Sequence, residues 1–123
     1  MRVERLAPRV LRYTGEGYGS TPLATFALAH SQQVLDEIGD GLCCLYDWWG
    51  MTGYSSQARA DATAFVLKHR ARYHTAVFLT SSALVSMGVN VANVVLGGFL
   101  QGTTSREVFD RRVAEVLAEE RQR

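Results

Sequence analysis

No Lys, Arg, Asp or Glu occurs between Thr75 and Ser105. A neutral stretch longer than the ~20 residues of a membrane-crossing helix is either a span or a segment covered by its own protein. The polar residues inside it favour the second. Thr80, Ser81, Ser82, Ser86, Asn90 and Asn93 interrupt the run, and central asparagines are costly in hydrocarbon. The stretch also divides naturally. Ala76–Leu79 is short and continuously apolar, as a strand buried on both faces is. Thr80-Ser81-Ser82 supplies turn and N-cap residues, and Ala83–Leu96 reads as a mostly buried helix. The expectation is a buried strand, turn and helix, with no integral membrane span.

The rest of the chain is organised around that unit. Arg2 to Gly17 carries Val3, Leu6, Val10, Leu11 and Tyr13, is interrupted by Pro8, and reads as two short strands closed by the turn Gly15-Glu16-Gly17. Thr21 is the expected N-cap of a first helix, with Pro22 at its first position. Leu23, Phe26, Ala27, His30, Val34 and Ile38 share one face of it, and Gly39 and Gly41 end it. Leu42–Tyr46 is a second apolar strand. After the loop Asp47–Tyr54, Ser55 or Ser56 caps a helix running to about Arg72, with Ala58, Ala62, Phe65, Val66 and His69 inward and Lys68, Arg70 and Arg72 facing the negative end of its dipole. A last helix starts near Thr104 with Glu107 completing a capping box, and turns Val108, Phe109, Val113, Val116 and Leu117 inward. Strands alternating with helices predict an α/β domain over residues 1–123: a small mixed, mostly parallel sheet of about four strands, with an antiparallel N-terminal edge and about four covering helices.

Composition narrows the function classes. With 47% hydrophobic and 20% charged residues the 123-residue chain has the makeup of a soluble globular domain. Thirteen Lys and Arg against twelve Asp and Glu give a net charge of +1, so electrostatics offers no reason to expect nucleic acid or an anionic membrane as partner. Cys43 and Cys44 are adjacent and make no disulfide framework; as neighbours on a strand they face opposite layers and read as packing residues. A reducing cytoplasm is the expected compartment. The three histidines match no zinc spacing, and no glycine-rich phosphate loop or nucleophile-elbow motif occurs, so neither a metal nor a cofactor is expected.

Ligands of open α/β sheets sit outside the carboxyl ends of the strands. Two such ends are identifiable, Asp47–Ser56 and Thr80-Ser81-Ser82, and neighbouring strands would bring them together on one rim. The partner- or ligand-contact candidates are therefore Asp47, Trp48, Trp49, Tyr54, Ser81 and Ser82. Side chains of adjacent residues in extended backbone point to opposite sides, so Trp48 and Trp49 are not both expected in the core. One exposed tryptophan is a contact residue, or else covers a neighbouring loop. Asp47 has the chemistry of a general base but also of a turn cap. Ser55 and Ser56 cap a helix at a place where a phosphate would be electrostatically welcome. The neutral Ala83–Leu100 region has three readings: covered by the last helix, engaged in a homodimer, or walling an apolar pocket. Gly88 and Ala92, four apart, permit a close helix contact.

This pattern resembles the STAS-like, SpoIIAA-like group of small bacterial domains, which overlaps the bacterial STAS/SEC14 proteins. The resemblance spans nearly the whole chain and rests on the strand ending Leu45-Tyr46-Asp47, the approach to Tyr54-Ser55-Ser56 opening a helix, the strand Ala76–Leu79, and Phe109 in the closing helix. Anti-sigma-factor antagonists of the STAS family carry a phosphorylatable serine at the start of the corresponding helix. Ser56, or Ser55, occupies that place in Tyr54-Ser55-Ser56-Gln57, without the family's preceding acid and following glycine. The resemblance implies a non-enzymatic regulatory or protein-interaction domain with an unidentified protein partner. Its SEC14-related side implies a binder of an apolar small molecule or lipid, with a pocket between the sheet and the neutral helix. A third reading, an enzyme using Asp47 with a serine or His30, requires His30 or another base within hydrogen-bond reach of the rim.

Overall fold

Alternating apolar residues at the N-terminus form an antiparallel pair, β1 (Arg2–Ala7) and β2 (Val10–Gly19), in a computed structural model that describes residues 1–123. The chain reverses at Pro8-Arg9, between the strands, where the missing proline N–H interrupts no ladder. The turn expected at Gly15-Glu16-Gly17 does not form there. Those residues lie inside β2, which stays paired through two register shifts, one on each side of them.

Helix α1 (Thr21–Ile38) is capped by Ser20 rather than Thr21, with the Ser20 hydroxyl accepting from Leu23 N–H at 3.4 Å. Gly39 ends it at φ +81°, a conformation an L side chain rarely adopts. Strand β3 (Leu42–Tyr54) is far longer than expected and absorbs the whole predicted loop Asp47–Tyr54. Then follow α2 (Ser56–Lys68), a short 3-10 turn at Arg70–Arg72, β4 (Tyr73–Thr80), α3 (Ala83–Val95), β5 (Gln101–Thr103) and α4 (Arg106–Arg121). The three-residue β5 adds a fifth strand. Gln101-Gly102-Thr103 has no apolar pattern to announce it, and β4 holds it in register opposite Val77, Phe78 and Leu79.

The sheet order is β1-β2-β3-β4-β5, with β2 to β5 all parallel. Each new strand is added on the same side of the last one. Right-handed crossovers of that kind place every connecting helix on one face. Accordingly α1, α2 and α3 share a face built on Leu11, Tyr13, Cys44, Ala76 and Phe78. α4 covers the other face alone, through Phe109 and Val116 against Val10, Cys43, Leu45, Val77 and Leu79. Cys43 and Cys44 divide between the two layers as expected. Burial pushes their thiols up, to about 11 and about 12, so both stay protonated packing groups.

This topology corrects three local expectations. The last helix does not cover α3, because it lies on the opposite face of the sheet. Ser105 caps α4, accepting from Val108 N–H at 3.2 Å, so Glu107 sits one residue too early for a capping box and Val108 faces solvent. Lys68 lies in the last turn of α2 as expected, but Arg70 and Arg72 lie in the 3-10 turn beyond it and serve its neighbours. Arg72 donates to Leu35 O at 2.7 Å and Gly39 O at 2.6 Å, satisfying the carbonyl end of α1, and Arg70 stacks over Phe99. Asn93, a residue weighed against a membrane span, closes the turn into β5 by pairing both ways with the Leu100 backbone, at 2.7 and 3.0 Å. No helix is long and apolar enough to cross a membrane.

Candidate functional site

Strands β3 and β4 are parallel neighbours with Trp48 opposite Thr80, so the two predicted strand ends do meet. Beyond that register β3 continues past the end of β4, paired only with β2. The candidate contact residues thus stand on a strand whose side chains alternate between two layers. That alternation separates them.

Asp47 faces the α4 layer with its side chain only 7% exposed. Its Oδ2 accepts from Arg12 at 2.7 Å and from Arg106 at 2.5 Å, and its Oδ1 accepts a second Arg106 bond at 3.1 Å. Burial alone would raise this carboxyl. The hydrogen bonds from Arg106 and Arg12 outweigh burial and hold it below the usual carboxylate range. The bond to Trp49 N–H is long, at 3.4 Å, so turn capping is a minor part of what Asp47 does. Trp49 points to the same side, 44% exposed, with the Arg106 guanidinium 5.9 Å from its ring. Ser81 donates to the Trp49 carbonyl. Ser82 caps α3, Ser55 caps α2, accepting from Ala58 N–H at 3.0 Å, and Ser56 is exposed in the first turn. His30 is stacked edge-on to Phe26 on α1, on the opposite side of the sheet from Asp47, so His30 does not serve the rim as the base of an enzyme reading.

Trp48 and Tyr54 face the three-helix layer and join an aromatic row. Tyr13, Tyr46 and Phe78 stand directly opposite one another on β2, β3 and β4, and stack at 5.2 and 4.3 Å. Trp48 packs edge-on to Phe78 at 4.9 Å, with Tyr54 beyond it. Against this row the helices present Ala27, Ala58, Ala62, Gly88 and Ala92. Wide rings facing small residues leave a cavity of about 110 Å³, walled by Tyr46, Trp48, Tyr54 and Phe78 on the sheet and by α1, α2 and α3. Protein interiors normally fill such space, and its lining loses dispersion contacts when they do not. The helical alanines carried this information in the sequence, but only the sheet shows what they face.

At Gly88, α3 lies directly against the Tyr54 side chain of β3. A Cβ there would stand 1.4 Å from the Tyr54 hydroxyl oxygen and 2.5 Å from its ring carbon. The Gly88–Ala92 pair therefore makes room for a phenol and the cavity wall, rather than for another helix. Gly88→Ala is expected to cost about 1–3 kcal/mol in denaturant unfolding, with Tyr54→Ala in the same chain recovering part of it. An unaltered midpoint for the single variant would contradict this packing.

Comparisons with known proteins bear on the fold. No protein-family model matches the chain, and no curated protein does. A solved structure of an uncharacterized DUF3478-family protein with a SpoIIAA-like fold, from Shewanella loihica PV-4, matches with a TM-score of 0.63. The match covers 86% of each chain at 18% identity. What the two chains share at that identity is the fold, and the five-stranded α/β sheet described above is a SpoIIAA-like one.

Proposed function

We propose that the protein binds a small apolar molecule in the cavity between the aromatic row and the three helices, without transforming it. The carrying observation is the cavity itself, about 110 Å³ and lined almost wholly by apolar groups. An apolar engineered cavity of ~150 Å³ stays dry and takes up benzene, which sets the scale of ligand expected. This supports the apolar-ligand side of the family resemblance. The test is thermal unfolding with benzene near its aqueous saturation. The wild-type midpoint should rise by a few degrees, because a ligand that binds only the folded chain stabilises it. Ala92→Leu, which fills the cavity, should abolish the rise; an unchanged wild-type midpoint would refute the reading.

A second reading, a regulatory or protein-interaction domain, is favoured by one observation. The outer face of α3 exposes Leu84, Met87, Val91, Val94 and Val95, with Val94 82% exposed and no charged residue in the helix. Contiguous apolar surface of this kind is a contact surface in many proteins, here toward a protein partner or a second copy of the chain. A native mass spectrum separates the readings: a dimer with no small adduct favours this one, a chain carrying an apolar adduct the first.

A further inference from the structure

The cavity has a polar end. Arg59, on the first turns of α2, is the one charged side chain lining it, and no Asp or Glu does. None of the chain's ion pairs uses Arg59. Ser20, the N-cap of α1, lines the same cavity. The starts of α1 and α2 lie side by side, with the Thr21 hydroxyl 3.0 Å from that of Ser55, and neither helix has an acidic residue in its first turn. Two helix starts without acidic residues, and an Arg59 without an ion-pair partner, thus belong to the same part of the fold. Within the lining, the Trp48 indole N–H is buried without a hydrogen-bond acceptor. The lining thus offers one positive charge and one unused donor and no carboxylate; its other polar groups are the neutral hydroxyls of Ser20, Tyr46, Tyr54 and Thr63.

We propose that the ligand is a monocarboxylate with a short aliphatic or single-ring tail, its tail against Tyr46, Trp48 and Phe78 and its carboxylate paired with Arg59. The inference rests on the reading of the cavity as a ligand site and adds the charge of what it takes. A guanidinium answers a planar carboxylate with two parallel donors, a geometry that a neutral alcohol does not use. The volume admits a tail of about one ring and excludes the paired long chains of a membrane lipid.

Isothermal titration of the intact chain with hexanoate and with hexan-1-ol tests both layers. Hexanoate should bind at least ~10-fold more tightly than hexan-1-ol, and added salt should weaken hexanoate alone. Arg59→Gln should cost roughly 10-fold in hexanoate affinity and leave hexan-1-ol unchanged, which also reports that the variant's cavity is intact. Equal affinities for the two probes, or an Arg59→Gln variant that still prefers hexanoate, would overturn the carboxylate proposal while leaving the apolar site standing. Binding of neither probe would overturn the site itself.

Discussion

Phe109→Ala is expected to lower the unfolding free energy by about 3–5 kcal/mol, and with it the thermal midpoint by roughly 10–20 °C. Phe109 is fully buried at the centre of the α4 layer, among Val10, Leu45, Leu79 and Val116. α4 is mostly polar along its length and holds the sheet through only two fully buried side chains, Phe109 and Val116. Removing the ring leaves a void that α4 cannot close without giving up Val116. It also strips the support from Arg12, whose guanidinium lies 5.6 Å from the ring centre. Stability measured in urea checks the expectation, and a loss under ~1 kcal/mol would show that α4 is held by something else. Benzene uptake by the variant, measured below its midpoint, should persist because the cavity lies across the sheet.

Asp47→Ala should cost about 2–3 kcal/mol at neutral pH. Removing one partner of a fully buried ion pair typically costs ~3–5 kcal/mol. The lower figure applies because the side chains of Arg106 and Arg12 are 44% and 24% exposed and can turn toward water once released. The loss is sensitive to acid. The folded Asp47 carboxyl is held below its unfolded value, so its contribution is complete above the unfolded pKa of about 4 and disappears as the pH falls through the lower folded value. Wild type and Asp47→Ala should therefore differ fully at pH 7 and converge below about pH 4. A gap that stayed constant into strong acid would mean that the carboxylate charge contributes nothing. Since Arg106 opens α4, the variant should also loosen the first turn of that helix, visible as faster amide exchange there.

The elements legible from sequence were those whose pattern is local. Ala76–Leu79 announced a buried strand by being apolar without alternation, and Phe65, Val66 and His69 marked the inward side of α2. The STAS-like resemblance anticipated the same architecture. The segment Asp47–Tyr54 reads as a loop because Gly50 and Gly53 are turn residues by composition. In the fold they belong to a strand that lies close against β2, where Gly15 and Gly19 make the matching space for Met51. The alternation that sends Tyr46 and Trp48 toward the three helices and Asp47 and Trp49 toward α4 is present in the sequence, but both layers are covered at Asp47, and beyond Trp48 the strand has only β2 as a neighbour, so the periodic signal is weak.

The candidate site shows the same division more sharply. That Trp48 and Trp49 part company, and that Ser55 caps a helix, follows from backbone geometry any short stretch obeys. Asp47's partners do not follow, since Arg12 and Arg106 lie 35 and 59 positions away and meet it only through the β2–β3 register and the placement of α4. The cavity is equally nonlocal. Alanines on three helices and rings on three strands each pack acceptably by themselves, and space remains only because the same-sided crossovers set all of the helices against one aromatic row. Local periodicity determined most of the residues that turn inward, Phe26 and Val108 excepted; the order of strands determined what they meet there, because volume and charge pairing are properties of surfaces brought together rather than of any one segment.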